Sequence, residues 1–329
     1  DTTSSAVVVN DITLSADTGT SATDFFTKIA SQNITGTLSG ALDNGDSLYG
    51  SVDGGISWID ISDKVSGTAV SWSGATLVAG GSLQFKVTDA AGNDGVVSSQ
   101  EYTLDTVAPA ITINSIAISD DTGSSATDFI TNEAPQTVSA VLSASLAEGD
   151  ILYGSTDGGN SWVDITADVT DDLLSWDVTL SGTDALQFMV TDASGNDGVI
   201  ASESYAIDTV APQIVVNNID ISADSGSSGD DFLTNTAEQT ITGTLSASME
   251  SGDILYGSVD GGAAWIDITD RVDGTQISWA GVTLSGSNSI QFKVTDSAGN
   301  EGEVTTQNYV IDTTSSAVVV NDITLSADT

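Results

Sequence analysis

The chain has no cysteine and no histidine, and five lysine and arginine residues against 47 acidic ones. Each scarcity excludes something. Without cysteine there is no disulfide, so stability is expected from packing and from bound metal. Without cysteine and histidine, the commonest nucleophiles, general bases and transition-metal ligands are gone. With so few cations, salt bridges cannot neutralise a net charge of −42. The acids either spread over a solvated surface or are neutralised by dissolved cations. Such a charge repels nucleic acid and anionic membrane surfaces. No apolar run approaches the ~18 residues of a membrane span. Neither nucleic-acid binding nor membrane insertion is therefore expected. The apolar fraction of 39% excludes bulk disorder.

What the sequence does have is repetition. Asp1–Thr18 recurs letter for letter as Asp312–Thr329. Between them the pattern returns at spacings of 104, 103 and 104 residues, marked by Asp1-Thr2, Asp105-Thr106, Asp208-Thr209 and Asp312-Thr313. The expected domains are 1–104, 105–207 and 208–311, with 312–329 as the linker and first strand of a fourth. A repeat of this length buries its own core, unlike a short solenoid unit. The chain reads as a window on an array. The joints LDTVAP (Leu104–Pro109) and IDTVAP (Ile207–Pro212) are short, and proline stiffens them.

The texture is all-β. Valine, isoleucine, threonine and leucine alternate in short runs broken by Gly, Asp and Asn. In the first repeat, strands are expected at Ala6–Leu14, Asn33–Leu38, Ser47–Val52, Ile56–Ile61, Ala69–Leu77, Leu83–Thr88 and Gly95–Leu104. Short strands with regular turn signals indicate a Greek-key β-sandwich. Leu83, Phe85 and Val87 mark an inward face, leaving Gln84, Lys86 and Thr88 toward solvent.

Two acidic motifs recur. The loop after the first strand reads SADTGTSATDF (Ser15–Phe25), SDDTGSSATDF (Ser119–Phe129) and SADSGSSGDDF (Ser222–Phe232). The turn before the last strand reads TDAAGND (Thr88–Asp94), TDASGND (Thr191–Asp197) and TDSAGNE (Thr295–Glu301). Acids around a glycine bend bring oxygens together, as calcium requires. An acidic Asx-turn loop and a plain hairpin turn would read the same way. A third motif, SVDGGISW (Ser51–Trp58), STDGGNSW and SVDGGAAW, fits the Asp-box hairpin, in which the acid bonds turn amides. A second tryptophan, Trp72, Trp176 and Trp279, suits core packing better than a sugar platform. Adjacent acid pairs such as Asp60/Asp63 are not kept between repeats and are expected by chance, so no enzyme activity is expected.

DTVAP, YGSVDGG-x-x-W and VTDAAGND followed by YTLDT resemble the bacterial immunoglobulin-like repeats of giant surface adhesins. Those are the extender regions of repeats-in-toxin adhesins and biofilm-associated proteins. The resemblance implies tandem immunoglobulin-like sandwiches in an extended rod, holding Ca²⁺ at or near their junctions. It also implies an extracellular place on the bacterial cell surface, with a distal binding domain projected for adhesion. Alternating strands put the acidic loop at the trailing end of one repeat and the glycine–asparagine turn at the leading end of the next. One junction then gathers Asp17, Asp24, Asp105, Asp192, Asn196 and Asp197. The next gathers Asp121, Asp128, Asp208, Asp296, Asn300 and Glu301. The outer sets, Asp89, Asn93 and Asp94 at the front and Asp224, Asp231 and Asp312 at the rear, are incomplete. The expected partners are neighbouring repeats, with lateral or end-to-end self-association left open. The alternatives are a low-affinity carbohydrate- or protein-binding array acting by avidity, or a filament subunit.

Overall fold

The computed structural model describes residues 2–324 and 326. The chain forms two compact units. One comprises Asp1–Ala117, Thr137–Val178 and Asp184–Ser204; the other comprises Ile118–Gln136, Thr179–Thr183 and Tyr205–Thr329. The first unit contains the whole first repeat and the second the whole third repeat. Strands of the middle repeat contribute to both. Apart from short 3-10 turns, all regular structure among the described residues is β. No helix among them is long and apolar enough to cross a membrane.

The first repeat has ten strands: β1 (Val9–Leu14), β2 (Phe26–Thr27), β3 (Ser31–Leu38), β4 (Ser47–Ser51), β5 (Ile59–Asp60), β6 (Val65–Ser66), β7 (Ala69–Thr76), β8 (Ser82–Thr88), β9 (Ser98–Glu101) and β10 (Thr103–Leu104). One sheet runs β1-β3-β7-β6 and the other β5-β4-β8-β9. This is the two-sheet arrangement of an immunoglobulin-like sandwich. A parallel pair, β10 with β2, stands apart. In the third repeat, Leu233–Thr234 pairs in the same way with Thr305–Ile311, which also pairs with Ser287–Thr295.

The alternation in β8 does what the pattern predicts. Leu83, Phe85 and Val87 are buried in the first core. Each such side chain contributes roughly 1.5–3 kcal/mol by leaving water. Trp72 meets Phe85 edge-on, with ring centres 6.1 Å apart, and Trp176–Phe188 and Trp279–Phe292 repeat the pair. Gly50 makes room for it: a Cβ there would lie 2.6 Å from the Trp72 ring. All three tryptophans are buried, so none is a sugar platform.

Several elements differ from the sequence expectation. Strand β1 starts at Val9, not Ala6, and bulges where its register with β3 shifts between Asn10 and Thr13. Asp11 takes the left-handed backbone there, φ 52°, as Ser115 and Asn218 do at φ 53°. The expected strand Ile56–Ile61 shrinks to Ile59–Asp60, because the hairpin turn uses the preceding residues. Asp60 then accepts the Ser62 amide at 3.0 Å and opens a 3-10 turn, Ser62–Lys64. The expected first strand of a fourth repeat is absent from the described part of 312–329. Val318, Val319, Val320 and Ile323 are 71–85% exposed. The reason is pairing: β1 is a strand against β3, whereas residues 320–324 pair with no strand among the described residues. Leu325 and residues 327–329 lie outside the described residues.

Candidate functional site

The acidic loop is pinned from below by two buried polar residues. Thr27 donates to the Ala16 carbonyl at 2.6 Å, and Gln32 accepts the Ala16 amide at 2.9 Å. Thr131 with Gln136 holds Asp120, and Thr234 with Gln239 holds Ala223, in the same way. Reading the acids alone misses these residues. Their signal in the sequence is recurrence at the repeat spacing.

On this floor Asp17 closes the loop. Its Oδ2 accepts the Phe25 amide at 3.0 Å; Asp121 does so from Phe129 at 3.1 Å and Asp224 from Phe232 at 2.9 Å. The donating residue is left-handed each time, with φ of 63°, 59° and 57°. A bulky side chain there carries strain on the order of 1–3 kcal/mol. Oδ1 of Asp17, Asp121 and Asp224 is buried without a hydrogen-bond partner. Burial pushes the Asp17 and Asp121 carboxyls above the usual range. The backbone bond opposes this, and the charges of Asp24 and Asp128 add to it. Asp24, Asp128 and Asp231 accept the amides of Phe26, Ile130 and Leu233 at 3.0–3.1 Å.

The expected meeting of loop and turn is present in each unit. In the first, the Thr18 hydroxyl donates to the Ser194 carbonyl at 2.8 Å, and the Lys28 ammonium donates to the Gly195 carbonyl. Asn196 Nδ2 donates to the Asp105 carbonyl at 3.0 Å. In the second, Thr122 donates to the Ala298 carbonyl at 2.6 Å and Asn300 to the Asp208 carbonyl at 2.9 Å. The fit leaves no room for a side chain: a Cβ on Gly123 would run into the Ser297 carbonyl oxygen. The linker acids start beside the loops. Asp105, Asp208 and Asp312 donate their amides to the carbonyls of Thr27, Thr131 and Thr234 at 2.9–3.1 Å. Their carboxylates accept the amides of Val107, Val210 and Thr314.

The expected ligand sets divide on closer view. Asp192 accepts the Ser194 and Asn196 amides and Asn196 Nδ2, each at 2.9 Å. Asp296 and Asp89 bond their own turns in the same way, through Asn300 and Asn93. For Asp89, the Asn93 side-chain bond leads the causes that hold its carboxyl below the usual range. Asp197 accepts the Thr191 hydroxyl, while Asp94 and Glu301 pair with Lys86 and Lys293. Lys86, expected to face solvent, lies over Trp58, and Lys293 lies over Trp265 in the same way. Among the described residues no three acidic side chains cluster closely enough to hold a metal by themselves. What remains is a pair in each repeat: Asp17/Asp24, Asp121/Asp128 and Asp224/Asp231. A buried, unpartnered carboxylate oxygen beside a second carboxylate suits a hard cation. Ca²⁺ takes about six to eight oxygens and accepts carbonyls and hydroxyls among them.

The Asp-box hairpin closes on itself. The Ser57 hydroxyl, the Ser57 amide and then the Ser51 hydroxyl lower the Asp53 carboxyl to about 2. Ser161 and Ser155 do the same for Asp157, also to about 2. This acid serves its turn.

Residues 211–313 match the family described as a bacterial Ig-like domain, and residues 63–106 match a second family of the same description. No curated protein matches the chain. Among solved structures, a tetra-tandem repeat from the extending region of a large adhesion protein aligns at 16% identity and a TM-score of 0.27, over 94% of this chain and 76% of that one. A Ca²⁺-stabilized adhesin with which an Antarctic bacterium binds ice aligns at 23% identity and a TM-score of 0.38, over 96% of this chain and 76% of that one.

Proposed function

We propose that the chain is a non-enzymatic extender segment of a secreted bacterial surface adhesin, stiffened by calcium where repeats meet. One observation carries the reading. The same buried, unpartnered carboxylate oxygen recurs at Asp17, Asp121 and Asp224, on the loop beside which the linker starts. Asp17 with Asp24, Asp121 with Asp128 and Asp224 with Asp231 would hold the ion. Bound Ca²⁺ supplies positive charge where two carboxylates repel, and it ties the loop to the joint beside it. The protein bonds across the joint, from Thr18, Asn196, Thr122 and Asn300, supply register. The function follows from stiffness: sandwiches joined by short, braced linkers project whatever lies beyond them, and the net charge of −42 keeps neighbouring chains apart.

Calcium that binds the folded chain stabilises it by linkage, about 2.7 kcal/mol per site at 100 times the Kd. Chelator is therefore expected to lower the melting midpoint by roughly 10 °C or more. An unchanged midpoint would sink the calcium assignment. Small-angle scattering with and without chelator then tests the mechanical reading. An extended rod that becomes flexible without calcium supports it, and concentration-dependent growth points to a self-associating filament instead.

A further inference from the structure

In two of the three repeats a lysine lies over the hairpin aromatics. Lys86 Nζ sits 4.7 Å from the Trp58 ring centre and 5.9 Å from that of Tyr49, and bonds Asp94 at 2.7 Å. Lys293 Nζ sits 4.7 Å from Trp265 and 5.8 Å from Tyr256, and bonds Glu301. Strand register fixes the equivalent position in the middle repeat: Tyr49 faces Lys86, Tyr256 faces Lys293, and Tyr153 faces Met189. The middle repeat thus keeps the tyrosine, the tryptophan (Trp162) and the acid (Asp197), and lacks the ammonium. It has no lysine or arginine anywhere between residues 105 and 207. A cavity of about 310 Å³ opens at this place, lined by Tyr153, Trp162, Met189 and Asp197 together with Thr18 and Gly19. Asp197 is exposed, and it keeps the same threonine bond as Asp94, from Thr191 at 2.9 Å. Lys28 lies nearby, but its ammonium donates to the Gly195 carbonyl and forms no ion pair among the described residues.

We propose that this cavity binds a primary alkylammonium from outside, the side chain of a lysine on a partner protein. The sister repeats display the bound group: an ammonium on a four-carbon stem, over an indole and a phenol, against a carboxylate. Aromatic faces attract cations, and a charged hydrogen bond adds direction. The thioether of Met189 supplies an adaptable apolar wall for the stem. The surrounding negative charge draws a basic partner in.

The test uses the whole chain, once with calcium and once with chelator, so that a loosening of the joint is seen apart from binding of the probe. The chain has two methionines, Met189 and Met249, so methyl-labelled methionine gives one reporter at the site and one remote control. The probe is lysine blocked at its α-amino and carboxyl ends. The Met189 methyl is expected to shift saturably while Met249 stays put. The Nε-acetylated probe and the Asp197→Asn variant should each bind at least about fivefold more weakly. Met189→Lys, which restores the sister arrangement, should abolish the probe-induced shift of the Trp162 indole signal. Equal binding of the acetylated probe, indifference to either substitution, or shifts at both methyls that merely follow ionic strength would overturn the proposal. Tighter binding of spermidine than of the lysine probe would reassign the site to a free polyamine and overturn the lysine assignment.

Discussion

The same residues occur twice in this chain with two outcomes. Val9–Leu14 is a strand with Val9 buried, paired through Val9↔Leu38 and Leu14↔Ile34. Its copy starting at Val320 is identical in sequence, yet its described part forms no strand and Val320 is 78% exposed. Local propensity is the same in both, so the strand comes from the partner and from burial. One local feature survives: Asp322 keeps a φ of 54°, matching 52° at Asp11. The left-handed backbone is thus written into the segment, while the strand is written into the sandwich.

Hydrogen exchange tests that contrast most severely. Amides of Thr13 and Leu14 should exchange at least roughly a thousandfold more slowly than the Ile323 amide, because only the first copy must unfold to exchange. Equal rates would mean that the second copy finds a partner, within the molecule or in another. A smaller effect separates burial from sequence directly. Val9→Ala should cost about 2 kcal/mol, and Val320→Ala should stay within about 0.5 kcal/mol. Chemical denaturation of the two variants checks it; matching losses would remove the contrast.

Much of the fold is legible in the amino-acid pattern. The repeat spacing, the inward face of β8 and the buried second tryptophan all follow from period and recurrence. The meeting of acidic loop and glycine–asparagine turn follows from strand alternation alone. The finer site is hidden for specific reasons. Acids are so abundant that residue type cannot separate Asp17, with its unpartnered oxygen, from Asp192, which is saturated by its own turn. The left-handed Phe25 is invisible because a phenylalanine gives no hint of positive φ. Lys86 reads as solvent-facing because alternation reports which side of a sheet a residue takes. It does not report that Trp58, brought in by the neighbouring hairpin, covers that side.

The seating of the few cations has a consequence for how the chain is cut. A protease of trypsin's specificity needs an accessible lysine or arginine, and the chain offers none between Lys86 and Arg271. Of the five, Lys28 is engaged with Gly195, and the side chains of Lys86 and Lys293 are only 18% and 12% exposed over their tryptophans. That leaves Lys64 and Arg271, each ending a 3-10 turn, with side chains 36% and 53% exposed. Limited digestion read by mass spectrometry should begin at those two bonds. It should spare the middle repeat throughout, so resistance to digestion is greatest where the chain carries no positive charge at all.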